Sequence, residues 1–157
     1  MTDRALRPAA FGVVAVQGAL LVAFFALPGD KGWAVPRWLS GLASAVQFAG
    51  WVVLLGAFVS LGRSLTVLPT PSERSTLKTT GLYRFVRHPI YTGVLAIVLG
   101  GAVTSGRVVR LGVALALLGL LTAKARWEED MLRRRYRAYD DYAARTPRFL
   151  PRPRRRS

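Results

Sequence analysis

The placement of charge along this chain limits its fold more than any other feature. Nearly all ionisable residues lie near the N-terminus, in one central stretch and from Lys124 onward. Between them, residues 9–27 carry only Gln17 as a strongly polar side chain, and residues 39–61 carry only Gln47 and three serines. Crossing a bilayer takes roughly 20 apolar residues, so both runs are long enough. Two shorter runs follow at 89–104 and 108–123, split by Ser105-Gly106-Arg107. At about 1.5 Å per residue each covers only about 24 Å, which suits a thin or tilted hairpin with snorkelling ends. The pattern predicts an all-α integral membrane protein with about four transmembrane helices, the last two a tight short hairpin. A cytoplasmic amphipathic helix is expected after them. The first run reads as a retained helix: it exceeds a leader's apolar core, and Leu27-Pro28-Gly29 is a poor cleavage site.

The net charge of +15 has two readings. Nucleic-acid binding is excluded, because no soluble basic fold remains once the apolar runs are removed. The positive-inside rule accounts for the charge instead. With four crossings, nineteen Lys and Arg fall on one side, against Lys31, Arg37, Arg107 and Arg110 on the other. Both termini are then cytoplasmic. The arginine-rich, lysine-poor composition points to a bacterial inner membrane rather than the endoplasmic reticulum. Trp33 and Trp38 suit interfacial anchors, and the basic tail from Arg152 either touches anionic headgroups or stays solvated. There is no cysteine and a single histidine, which excludes thiolate catalysis and multi-histidine metal centres. No metal site is expected.

Residues 62–80 contain Pro69, Pro71 and several Ser and Thr, and read as an irregular connection. Arg87-His88-Pro89-Ile90-Tyr91 then opens the third run. Proline suits the first turn of a helix, where its missing N–H leaves nothing unpaired. His88 is therefore expected at a helix entrance, where free amides favour an anion. Glu128-Glu129 stand just after the fourth run. Ionisable groups at the rim of a membrane bundle are costly to keep there, so they point to function. Carboxylates accept hydrogen bonds from ribose hydroxyls or an amino group. Tyrosine faces suit a cation such as a sulfonium, and arginine can grip a carboxylate through two parallel bonds. Plainer roles stand beside these: a headgroup contact for Arg87, a cap for His88, a solvated helix face for Glu128 and Glu129. Small residues form two stripes, Gly93, Ala96, Gly100 and Gly112, Ala116, Gly119, Ala123, so the third and fourth helices are expected to pack closely together. Residues 126–145 read as one helix with Glu128, Leu132, Arg135, Tyr139 and Tyr142 on one face. No dinucleotide fingerprint, P-loop or nucleophile elbow is present.

Gly81-Leu82-Tyr83-Arg84, with Arg87-His88-Pro89-Ile90-Tyr91-Thr92-Gly93, resembles the G-x-Y-x-x-x-R-H-P-x-Y-x-G signature of the isoprenylcysteine carboxyl methyltransferase family, which is related to membrane phospholipid methyltransferases. The tail is similar as well. Glu128-Glu129-x-x-Leu132, Tyr136, Tyr139, Tyr142 and Pro147-Arg148-Phe149-Leu150-Pro151 follow that family's E-E-x-x-L, aromatic-glycine pair, spaced tyrosines and closing R-x-x-P. Arg137 departs from it, standing where the family has a glycine. The likeness covers residues 61–153.

The resemblance implies an integral membrane enzyme that uses S-adenosylmethionine and leaves S-adenosylhomocysteine. A cytoplasmic cofactor pocket, roofed by the C-terminal helix, would receive a lipophilic small-molecule or prenylated acceptor from the bilayer, as in isoprenylcysteine carboxyl O-methylation. Carried over by position, Tyr83, His88, Pro89, Tyr91, Glu128 and Glu129 would hold the cofactor or support it. Arg87 and Glu128 would be catalytic. One membrane domain is expected over residues 1–157: two helices in 1–62, a methyltransferase-like core in 63–153 and a basic tail in 152–157. Two other classes compete. One is a membrane reductase using NADPH on a lipid or steroid, whose family has a similar histidine-proline-tyrosine element. The other is a non-catalytic scaffold of the same fold.

Overall fold

A computed structural model describes residues 3–29, 32–61 and 77–151. The elements in them are helical: α1 (Asp3–Ala26), α2 (Arg37–Leu61), a short 3-10 turn (Gly81–Arg84), α3 (Pro89–Ser105), α4 (Val108–Arg135) and α5 (Tyr139–Arg145). Two stretches are long and apolar enough to cross a membrane, Arg37–Ser60 and Val108–Arg135. Shorter apolar helices run over Ala10–Ala26 and Pro89–Ser105. The expected irregular connection falls mostly outside the described residues, and so does the basic tail.

α3 begins where its proline dictates. Pro89 occupies the first turn, and His88 precedes it in a non-helical conformation without using its side chain as a cap. The helix stops at Gly106, whose φ of 61° lies in the left-handed region, and a Cβ there would meet the Trp33 carbonyl oxygen at 2.7 Å. Glycine therefore answers both the turn and the close approach. The Gly32 N–H donates to the Gly106 carbonyl at 2.8 Å, so the loop before α2 closes over the α3–α4 turn.

The small residues of α3 do serve a close contact, but the partner is α2. A Cβ on Gly93 would lie 2.9 Å from the Gly50 carbonyl oxygen, and one on Gly100 would lie 2.6 Å from that of Ala43. Gly112 and Gly119 meet nothing within 4 Å, and Ala116 and Ala123 are exposed. The expected tight α3–α4 hairpin is thus corrected: the stripe on α4 faces outward, and only the stripe on α3 is filled. α4 meets α3 on a different face, with Ala114 and Leu117 buried in one cluster with Val98 and Ala102 of α3 and Phe24 of α1. On the outer face of α2, Phe48, Trp51, Val52, Leu55 and Val59 are exposed, a belt that suits lipid better than water. Trp38 is exposed at the start of that helix, while Trp33 is half-buried.

The C-terminal helix differs from expectation. Residues 120–135 contain neither glycine nor proline, so the fourth apolar run and its charged extension form one unbroken helix. It ends at Tyr136, which is extended (φ −121°, ψ 112°). The face drawn through Glu128, Leu132, Arg135, Tyr139 and Tyr142 is broken there. Arg135 is exposed, and Tyr139 and Tyr142 are buried from the separate α5. Arg137 needs no glycine-like backbone, since among the described residues only glycines have positive φ.

Candidate active site

The head of α3, the end of α4 and the segment after α5 meet at one end of the molecule. The backbone before α3 needs partners for its free N–H groups, and residues 147–149 supply them. Arg87 N–H donates to the Pro147 carbonyl at 2.9 Å and His88 N–H to that of Arg148 at 3.2 Å. One turn into α3, the Thr92 hydroxyl donates to the Phe149 carbonyl at 2.8 Å.

Glu129 is the centre of this assembly, with a side chain 0% exposed. Arg87 Nε donates to Oε1 at 3.2 Å, and its Nη2 pairs with the same oxygen at 3.1 Å. His88 Nε2 lies 3.1 Å from the same oxygen. Arg148 grips both oxygens, Nε to Oε1 at 2.8 Å and Nη2 to Oε2 at 2.7 Å. A buried carboxylate is tolerated only when matched in this way. The contacts converge on Oε1, while Oε2 takes one hydrogen bond, from Arg148, and has Arg133 Nη2 at 3.9 Å. Arg87 is equally committed. Its Nη1 donates to the carbonyls of Ala143 and Thr146, each at 2.8 Å, which caps the end of α5. Arg87 contacts one oxygen of Glu129, and the grip on both oxygens comes from Arg148.

Glu128 is turned about 100° away around the helix. Tyr91 donates its hydroxyl to Oε1 at 2.6 Å, and His88 Nδ1 lies 3.5 Å from Oε2. The side chain is 16% exposed, and it keeps accepting positions open. The His88 ring therefore bridges both carboxylates, stacks on Tyr91 at 5.3 Å with 2° between the planes, and has Phe149 at 6.1 Å. Tyr83 shares this side. Its phenol is pushed up to about 12, by burial first and then by the Glu128 charge. Its carbonyl accepts the Tyr142 hydroxyl at 2.5 Å. Tyr142 is also pushed up to about 12, mainly by burial. The buried Tyr139 hydroxyl finds no partner among the described residues, and burial followed by the Glu129 charge raises its pKa.

All the residues expected at the site meet in this one cluster: Tyr83, Arg87, His88, Pro89, Tyr91, Glu128 and Glu129. Pro89 enters it as the buried first residue of α3. Sequence reasoning misses three others. Arg148 was visible only as the arginine of the closing R-x-x-P. Lys124, buried at the end of the fourth apolar run, donates to Gln17 Oε1 of α1 at 2.9 Å. Gln17 carried its own signal as the strongly polar side chain of the first run.

An all-helical fold with this corner and paired carboxylates defines a class of membrane methyltransferase relatives. Residues 38–139 match the phospholipid methyltransferase (PEMT) family, and the chain belongs to that family. It is similar to the nickel-cobalt-cadmium resistance protein NccN of Alcaligenes xylosoxydans xylosoxydans, with 34% identity over 139 residues, 87% of this chain and 62% of that one. The cobalt-zinc-cadmium resistance protein CzcN of Cupriavidus metallidurans is 38% identical over 81 residues, 51% of this chain and 38% of that one. Protein-S-isoprenylcysteine O-methyltransferase B of Arabidopsis thaliana is 28% identical over 118 residues, 73% of this chain and 60% of that one. The chain spans less than two thirds of the length of each. Its fold is like that of a solved eukaryotic intramembrane Ras methyltransferase, the isoprenylcysteine carboxyl methyltransferase. The TM-score is 0.66 at 22% identity, over 96% of this chain and 54% of that one.

Proposed function

We propose that this chain is a multi-pass membrane enzyme that transfers a methyl group from S-adenosylmethionine to a lipophilic acceptor, most like isoprenylcysteine carboxyl O-methylation. The observation that carries this reading is the unequal state of two adjacent carboxylates. Glu129 is fully buried and tied to Arg87, His88 and Arg148, while Glu128 is partly exposed and keeps accepting positions open beside Tyr91, His88 and Tyr83. That donor set fits S-adenosylmethionine, whose ribose hydroxyls and amino group need acceptors and whose sulfonium suits an aromatic face. When bound, the cofactor supplies a methyl group already activated by positive sulfur.

Glu128 and Tyr91 would hold the cofactor, with His88 and Tyr83 beside them and Pro89 setting the start of α3. Arg87 and Glu129 act through others: they are positioning residues that fix His88 and the 147–149 segment. Alignment of the reactants and exclusion of water are what remain for the protein to provide. Phe149, held against His88 by the Thr92 bond, covers the site from the C-terminal side. The distribution of Lys and Arg supports four crossings with both termini cytoplasmic, and composition supports a bacterial inner membrane. Family membership supports this reading over an NADPH-dependent reductase, and the complete site supports it over a scaffold. Among the described residues no group of three or more His, Cys, Asp or Glu is placed to hold an ion.

The test is calorimetric titration of the detergent-purified protein with S-adenosylhomocysteine, and with NADPH in parallel. Saturable binding of the first alone is expected. Binding of NADPH alone would move the protein to the reductases, and binding of neither by a folded sample would leave the scaffold.

A further inference from the structure

Among the buried charged side chains described, Lys124 is the one outside the Glu129 hub. It is 6% exposed and stands one helical turn before Glu128. Its ammonium donates to the Gln17 side-chain carbonyl at 2.9 Å and lies 5.2 Å from the centre of the Tyr91 ring. An ammonium offers three donors, and the bond to Gln17 uses one. A buried ammonium is costly without a matching charge; Glu128, one turn away, supplies one through space, but the hydrogen bond itself goes to a neutral amide oxygen. Hydrogen bonds between two charged groups are roughly twice as strong as neutral ones. Gln17 thus places a carbonyl oxygen where an anionic oxygen would bind better.

The position also suits an incoming lipophilic molecule. Lys124 joins α1 to α4 at the end of an apolar run, and the ring it faces is the one whose hydroxyl Glu128 holds. Gln17 lies outside residues 38–139, the part matched to the family, so this contact belongs to the chain's own first helix. The geometry points to Lys124 as the residue that recognises the acceptor: it binds the carboxylate end of a lipophilic molecule, displacing the Gln17 oxygen that holds the ammonium meanwhile. The inference rests on the methyltransferase reading and names the acceptor's polar end. It also provides for product release, because a methyl ester no longer carries the charge that Lys124 reads.

The test uses the full-length protein in detergent, saturated with S-adenosylhomocysteine. It is titrated calorimetrically with N-acetyl-S-farnesylcysteine and, separately, with the methyl ester of that compound. The unmodified protein should prefer the free carboxylate by about tenfold. Lys124→Met should abolish the preference, and Lys124→Arg should keep most of it. Should Lys124→Met fail to fold, Gln17→Leu decides. Loss of the competing oxygen should tighten carboxylate binding severalfold, and unchanged binding would overturn the assignment. It is overturned equally by a preference that survives in Lys124→Met, or by its absence from the unmodified protein. Failure of S-adenosylhomocysteine to bind any form would remove the methyltransferase reading instead, while the carboxylate–ester comparison would still decide Lys124.

Discussion

The surroundings of Glu129 and those of Glu128 share a histidine, and the two carboxylates are adjacent in the chain, yet one region is closed and the other open. Around Glu129 the side chain is fully buried and tied to Arg87, His88 and Arg148. Around Glu128 there is one short bond from Tyr91 and an edge of His88, with positions to spare. The same contrast recurs among glycines. Gly100 is pressed against α2, whereas Gly119 faces open space. Residue type therefore says little about role here; what decides it is whether the protein has already filled the space or the bonding capacity.

Glu129→Ala should have the largest effect. It leaves two guanidinium groups without their buried partner, at a cost of about 3–5 kcal/mol. Thermal unfolding in detergent should lose its cooperative transition or show it many degrees lower, and a variant as stable as its parent would dissolve the hub. Gly100→Leu should come next, since overpacking costs about 1–3 kcal/mol or more, while Gly119→Leu should stay within about 0.5 kcal/mol. Equal losses at the two positions would erase the distinction between the filled and the open stripe. Glu128→Gln should leave stability near that of the parent but weaken S-adenosylhomocysteine binding by about 1–3 kcal/mol. Unchanged affinity in calorimetry would mean the open positions are not the cofactor's.

The smallest effect concerns alkaline pH. Tyr83 and Tyr142 are both pushed up to about 12 in the fold, against about 10 for a free phenol. The folded protein keeps these protons where the unfolded chain releases them. Stability is therefore full below about pH 10 and declines as pH climbs toward about 12. Tyr142→Phe should flatten that decline in a plot of melting temperature against pH. An identical profile would assign the alkaline loss to other groups.

Much of this was legible beforehand. The apolar runs fell on helices, Pro89 marked the start of α3, and the motif residues at 83–91 and 128–129 converged. Three things were not legible, each for a physical reason. A stripe of small residues shows that a helix can be approached, but not which neighbour does so; Gly93 and Gly100 pair with α2 while Gly112 and Gly119 meet nothing among the described residues. Adjacent glutamates differ by a rotation of the helix, and only packing reveals that Glu129 points inward. The bond between Gln17 and Lys124 joins residues 107 positions apart, and no local pattern connects them.

The dependence of Glu129 on Arg148 also orders the protein's assembly in time. Arg87, His88 and Glu129 leave the ribosome before residues 147–149 do, so the growing chain passes through a stage in which the carboxylate has lost its most tightly bound partner and the corner before α3 lacks its backbone bonds. Synthesis interrupted between α5 and Phe149 would leave a nascent membrane protein with a half-neutralised interior, a lesion suited to recognition by quality control.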